Sequence, residues 1–250
     1  MNFFTLLNRE IRAYFVSPVA WVVLFFFLLL TGFNFYAGVA ALNRGPSEVT
    51  VVEAFFNTVF FWFGFVLVFP LITMRLFSEE YKMGTIEPLM TAPVRDSQVV
   101  LAKYFGALFF FIVLWLPSLL YFAVFTRVTR LEAAGAAGPF LGAYGMLLLI
   151  GMFYLAIGCL ASALTRNQIV AAIISFTVIT LFFFTGLLTF FLLNVTPALR
   201  EMTAYFSALE HMSEASRGFF DSRPVVFYLS LTIFTLFLTF HVFQSRRWRN

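Results

Sequence analysis

Long stretches without a charged residue dominate this chain. Residues 13–43, 54–74, 104–126, 133–165, 167–199 and 224–245 form six windows of 21 to 33 residues with no Asp, Glu, Lys or Arg. A helix needs about 20 apolar residues to cross the roughly 30 Å hydrocarbon layer of a bilayer, and each window holds such a stretch. The pattern predicts an all-α membrane protein with six transmembrane helices, near 19–41, 54–74, 100–125, 140–164, 170–193 and 225–243.

The segments between the windows carry patterns of their own. In residues 2–15, Phe4, Leu7, Ile11, Tyr14 and Phe15 share one helical face while Thr5, Arg9 and Arg12 share the other. This predicts an amphipathic helix lying at the membrane interface, the alternative being a plain extension of the first span into water. Ser17-Pro18 marks a change of direction, because proline suits the first turn of a helix and disfavours helical geometry before it. Asn43-Arg44-Gly45-Pro46 reads as a turn, and Pro117 interrupts the third span. Gly142, Gly145, Gly151 and Gly158 mark the fourth span as one that packs closely against its neighbours. In the long link 194–224, Leu199, Met202, Phe206 and Leu209 recur at helical spacing, which predicts one or two short external helices.

Composition strengthens this picture. The chain is 62% apolar and 11% charged, against about 25% charged in soluble domains, and no Pro/Ser-rich linker divides it, so residues 1–250 read as one membrane domain. The net charge of +4 follows the loops and is no signal for nucleic acid. With both termini in the cytoplasm, Arg9, Arg12, Arg75, Lys82, Arg95, Lys103, Arg166, Arg246, Arg247 and Arg249 lie inside. Arg44, Arg127, Arg130, Arg200, Arg217 and Arg223 then lie outside, and this excess inside favours the orientation. Arg9, Arg12, Arg246, Arg247 and Trp248 are the candidate membrane anchors, facing anionic headgroup lipid. Cys159 is the only cysteine, which leaves no internal disulfide. Gly38-Val39-Ala40 resembles a signal-peptide cleavage site, but the apolar stretch before it is too long for one.

Candidate chemistry is sparse. Lys82 is followed by Met83 and Lys103 by Tyr104, so neither closes a Walker A loop. There is no HExxH, and His211 and His241 fall at opposite faces of the bilayer. No carboxylate lies in the middle of a span, where an ion-coupled pump would need one. Glu53 and Glu132 sit at window edges and read as solvent-exposed. The expectation is therefore no catalytic, cofactor-binding or metal-binding residue in this chain, with any energy coming from another.

One cytoplasmic cluster, Ser78-Glu79-Glu80-Tyr81-Lys82-Met83-Gly84-Thr85-Ile86-Glu87-Pro88-Leu89-Met90-Thr91-Ala92-Pro93-Val94, is built to hold a short helix at a fixed angle. Glu80 can cap or pair across a broken helix, and Gly84 permits the break. Thr85 can cap the next helix, with Glu87 favourable in its first turn. Pro93 stiffens the exit before Asp96 or Ser97 caps the third span. A plain interfacial connector would also have these features.

The same cluster closely resembles the signature of ABC-2 type permeases, the membrane subunits of ATP-driven exporters. The resemblance extends over essentially the whole chain. It implies that Glu79, Glu80, Gly84, Thr85, Glu87, Pro88 and Pro93 belong to a cytoplasmic coupling region that docks on a separate ATPase, in two copies, which would bind ATP and Mg. It further implies pairing with a second permease copy or a homologous permease in the cytoplasmic (inner) membrane. A narrower resemblance, to the gliding-motility permease and the permease of nitrous oxide reductase maturation, rests on Ser207-Ala208-Leu209-Glu210-His211-Met212 and on Arg217-Gly218-Phe219-Phe220-Asp221-Ser222-Arg223-Pro224-Val225-Val226-Phe227-Tyr228. Those relatives often have Pro where Ala208 stands. That resemblance makes His211, Arg217, Gly218 and Asp221 candidates for an external gate or for contact with an extracytoplasmic accessory protein. Three functions follow: export, mechanical work on an external partner without a substrate crossing, and a passive channel. For the last, only the hydroxyls of Thr177, Thr180, Thr185 and Thr189 speak, and these can instead satisfy backbone carbonyls of their own helix.

Overall fold

The computed structural model describes residues 3–43, 49–85, 94–129, 137–191, 203–219 and 221–247. In chain order the helices are α1 (Phe3–Val16), α2 (Pro18–Leu42), α3 (Val51–Phe56), α4 (Val59–Thr73), α5 (Ser78–Met83), α6 (Asp96–Thr129), α7 (Ala137–Leu164), α8 (Gln168–Phe191), α9 (Ala208–Ser216) and α10 (Ser222–Arg247). Six helical segments are long and apolar enough to cross a membrane: α2, Val59–Met83, α6, α7, Gln168–Leu187 and Ser222–Ser245.

Local chemistry sets most of the boundaries. Ser17 is extended and Pro18 opens α2, so the chain turns where the sequence places the turn. The window 54–74 is not one helix, however. It contains the end of α3 and then a break at Asn57-Thr58. Thr50 Oγ1 caps α3 by accepting from Glu53 N at 3.1 Å, and Thr58 Oγ1 caps α4 by accepting from Phe61 N at 3.2 Å. Hydroxyl caps that satisfy the first amides make the break cheap inside an apolar window. Pro117 does not end the third span, since α6 is continuous through it. Beside it Ser118 Oγ donates to Trp115 O at 2.6 Å and shares a hydrogen bond with Tyr144 OH. Asp96 and Ser97 are not the caps of α6: Asp96 is its first residue, and Gln98 Oε1 accepts from Arg95 N in front of it.

The fourth span, α7, is the centre of the bundle, packing against α3, α4, α5, α6, α8, α9 and α10. From Phe153 to Cys159 every residue is buried, as expected of a helix apolar on all sides. Its glycines explain the close approach. A Cβ at Gly158 would lie 2.1 Å from Thr73 Oγ1, one at Gly151 2.5 Å from the Phe111 ring, and one at Gly142 2.4 Å from the Ala215 carbonyl oxygen. Gly145 meets nothing within 4 Å, so three of the four glycines mark contacts. By contrast α2, α8 and α10 expose Phe25, Phe26, Ile173, Phe184, Ile233 and Phe237, apolar surface suited to lipid or another protein.

The two amphipathic segments bury part of the face that their apolar spacing predicts, shifted toward neighbouring positions. In α1, Leu7, Tyr14 and Phe15 pack against the core and Thr5, Arg9 and Arg12 are exposed, as predicted, while Leu6 and Glu10 are the buried positions and Phe4 is 78% exposed. In the link before α10, Ala208, His211, Met212, Ala215 and Ser216 of α9 are buried and Phe206 is exposed. Leu199 and Met202 lie outside the described residues. In α9 the buried His211 has its partner Tyr228 on α10, while Phe206 is an aromatic side chain that lipid can solvate.

Candidate functional site

At the end of the bundle that carries α1, a network of charges joins three helices far apart in sequence. Lys103, two turns into α6, is 2% exposed, with Nζ 2.9 Å from Glu80 Oε1 of α5 and 3.3 Å from Glu10 Oε2 of α1. The ammonium also lies 5.4 Å from the centre of the Phe77 ring. Arg9 Nη2 donates to Glu10 Oε1 at 2.7 Å and to Glu80 Oε1 at 3.4 Å. Burial alone would raise the pKa of Glu10, but the charges of Lys103 and Arg9 with their hydrogen bonds prevail and hold it below the usual carboxylate range. Stability from that group is present above its unfolded pKa and is lost as pH falls through the folded one. Arg75 forks onto Glu79 through Nε at 2.7 Å and Nη2 at 2.6 Å, and its Nη1 donates to Ser17 Oγ at 2.7 Å. Tyr14 OH donates to Ile72 O at 2.9 Å. Together these bonds bind α1 and the α1–α2 corner to the α4–α5 turn.

That turn is held from α7. Ser162 Oγ accepts from Phe77 N at 3.0 Å and Ser78 N at 3.2 Å, and donates to Met74 O. One hydroxyl thus satisfies backbone groups that the irregular turn leaves without helical partners. After α5 the chain reaches Gly84 with φ +71°, a left-handed residue whose Cβ position is empty to 4 Å. The predicted break is therefore real, and a residue with a side chain would strain the backbone there without meeting a neighbour. Thr85 follows, exposed, at the edge of the described residues. Glu87, Pro88 and Pro93 lie outside them. Of the coupling candidates, Glu80 faces inward into the ion network and Glu79 pairs with Arg75, while Gly84 and Thr85 are exposed.

At the opposite end, α9 is docked by specific contacts. Arg217 Nε donates to Glu53 Oε1 of α3 at 2.6 Å, so Glu53, 8% exposed, is not the solvent-facing residue its window-edge position suggests. Asn57 Nδ2 donates to Ser216 Oγ at 3.3 Å. His211 Nδ1 and Tyr228 OH share a buried hydrogen bond of 3.0 Å. Burial lowers the pKa of His211 to about 4 against a weaker upward pull from Asp221, which makes it a neutral partner for the phenol. Gly218, with φ +88°, ends α9. Its amide donates to Ala215 O and that of Phe219 to Glu214 O, the paired bonds of a Schellman turn. Asp221 then starts α10, its Oδ1 accepting from Arg223 N at 3.0 Å. His211, Arg217, Gly218 and Asp221 thus act in one structural unit, though they do not converge on a common point. A cavity of about 1170 Å³ lies beside this unit, between α2, α3 and α9.

Arg9 and Arg12 are exposed on α1. The backbone of α10 continues through Arg246 and Arg247, and Trp248 lies outside the described residues. No group of three or more metal-ligating side chains occurs among the described residues. Sequence reasoning missed Glu10, Lys103, Arg75 and Tyr228. For the three charged ones the legible signal is that single charges stand close to the window edges, where each needs water, headgroup or a partner.

Comparison with known proteins bears on most of the bundle. No curated protein matches the chain. Residues 16–186 match the family described as ABC-2 family transporter protein, a region running from the α1–α2 corner to α8 and including the ion network's α5 and α6 members. Permeases of this family generally partner with ABC ATPase subunits. The chain belongs to the ABC-2 family of membrane transporters.

Proposed function

We propose that this chain, as a single permease domain, is the membrane subunit of an ATP-binding cassette exporter. A separate ATPase chain, in two copies and loaded with Mg and ATP, supplies the energy, and a second permease copy completes the assembly. One observation carries this reading: α5, just before the exposed Gly84 hinge, is locked to α1 and α6 by the buried Glu80–Lys103–Glu10 network. A push delivered beyond the hinge, where Glu87, Pro88 and Pro93 follow, reaches α5 and moves α1 and α6 with it. Glu80 then serves as a relay inside the permease rather than as an acceptor on the docking surface. In this reading the α1 end faces the cytoplasm, α1 rests at the membrane interface, and α9 is external. Co-purification tests it: an ATPase chain should accompany the permease, with ATP turnover confined to the complex. ATP hydrolysis by the purified 250-residue chain alone would overturn it.

A second reading, mechanical work on an extracytoplasmic partner as in the gliding-type subgroup, is favoured by the firm docking of α9. An arm pinned by Glu53–Arg217 and His211–Tyr228 can pass on the movement of α3 and α10. Crosslinkers placed on exposed Glu210, Glu214 and Phe219 in cells separate the two. Capture of an external protein in an ATP-dependent manner supports the mechanical role, and its absence leaves export alone.

A further inference from the structure

Beside the ion network lies a cavity of about 390 Å³ between α1, α2, α4 and α5, within the range of small-ligand pockets. Its lining is of mixed character. Charged residues, among them Arg9, Arg75 and Glu79, and apolar ones, among them Val19, Val23 and Leu71, line it together. Val19 and Val23 belong to the first turns of α2, a helix long enough to cross the membrane, so these apolar residues lead toward the hydrocarbon layer. Trp21, 54% exposed at the same level, donates its Nε1–H to Phe15 O at 2.8 Å, which sets an amphipathic ring at the depth where interfacial aromatics sit.

The charges select among ligands. The lining holds three bases, Arg9, Arg75 and Lys103, and three acids, Glu10, Glu79 and Glu80, and is neutral as a whole. Guanidinium has five N–H donors. Arg75 spends three of them, on Glu79 and Ser17, and Arg9 bonds Glu10 and Glu80 through Nη2 alone among the described residues. Both arginines retain donors suited to phosphate oxygens, and Glu79, pinned by Arg75, offers carboxylate to a cation. A purely anionic ligand would meet as many acids as bases. A soluble one would leave the apolar residues wet.

We infer that this cavity binds a zwitterionic phospholipid with a primary amine, its phosphate at Arg9 and Arg75, its ammonium at Glu79, and its acyl chains along Val19, Val23 and Leu71. Such a lipid wedges between α1 and the α4–α5 turn, so its presence sets how tightly the two are held. The site rests on the multi-pass membrane placement and is independent of ATPase coupling; failure to recover an ATPase leaves it standing.

Native mass spectrometry of the full chain tests the assignment, after reconstitution with equal amounts of phosphatidylethanolamine, phosphatidylcholine and phosphatidylglycerol. Phosphatidylethanolamine should be retained about tenfold over the other two, the factor expected for charge-assisted hydrogen bonds made with one headgroup only. Arg75→Gln should abolish that preference. Leu71→Trp, which adds bulk among the apolar residues and leaves every charge in place, should lower retention of the lipid about as much, so the two variants separate a lost site from a damaged fold. Glycerophosphoethanolamine, carrying the headgroup without chains, should not displace the lipid at equal concentration. Equal retention of all three lipids, preference for phosphatidylglycerol, displacement by the soluble headgroup, or indifference to both variants would each overturn the proposal.

Discussion

Lys103→Met is the most direct probe of the network at the α1 end. Methionine keeps the length and packing of the side chain and removes only the charge. Lys103 is 2% exposed and sits 2.9 Å and 3.3 Å from two carboxylates, so its loss leaves Glu10 and Glu80 sharing Arg9, which is 47% exposed. Removing one partner of a buried ion pair costs about 3–5 kcal/mol. Because Arg9 remains and solvent reaches Glu80, the lower end, about 3 kcal/mol, is expected. Glu10→Gln alone should cost about 1–3 kcal/mol through its lost charged bonds. The double variant restores neutrality through the Glu80–Arg9 pair, and it should be more stable than the sum of the singles by about 1 kcal/mol or more. Reversible unfolding in mixed micelles, followed by tryptophan fluorescence for wild type, both singles and the double, measures all three quantities. A Lys103→Met cost below about 0.5 kcal/mol, the size of an ordinary surface change, would refute the reasoning, as would strict additivity.

Three further outcomes are expected. Gly84→Val forces a β-branched residue to φ +71° in open space, and should cost about 1–2 kcal/mol of backbone strain or swing the segment beyond it; pull-down of the ATPase from membranes with matched permease levels should fall, and unchanged recovery would remove the hinge from coupling. Gly142→Val drives a side chain into the Ala215 carbonyl, 2.4 Å from the Cβ position, and should displace α9 at a cost of about 1–3 kcal/mol, visible as increased thiol labelling at an introduced Met212→Cys; unaltered labelling counts against the docking. His211 titrates near 4 when folded against an ordinary 6.5, so between these values the unfolded chain binds more protons. Its contribution is complete above about pH 6.5 and is lost as pH falls toward 4, up to about 3 kcal/mol; His211→Gln should flatten that slope, and an identical pH profile would exclude the burial of His211 as its source.

What the chain's own letters determine here is mostly what a single segment can express. Six charge-free windows are enough for six membrane-length helices, because hydrophobic transfer is summed residue by residue along one helix and needs no partner. The Ser17-Pro18 corner and the Gly84 break are equally local, each following from backbone sterics at one position, whereas which glycines of α7 meet a neighbour is decided by packing. The pairings are of another kind. Lys103 reads in sequence as one more inside charge, Glu53 as a solvent-exposed edge residue, and Glu10 as unremarkable. Their partners stand 93 residues away for Lys103 and Glu10 and 164 residues away for Glu53 and Arg217. A charge near a membrane can take water, headgroup or an opposite charge at comparable cost, and only the packing of α1 on α6 and of α9 on α3 decides which. The same holds for Asn57-Thr58, where the sequence permits both an unbroken apolar helix and a capped break. Tertiary contact chose the break, because Asn34 of α2 meets Thr58 and donates to Phe55 O at 2.9 Å, giving the interrupted backbone the partners a lipid environment withholds.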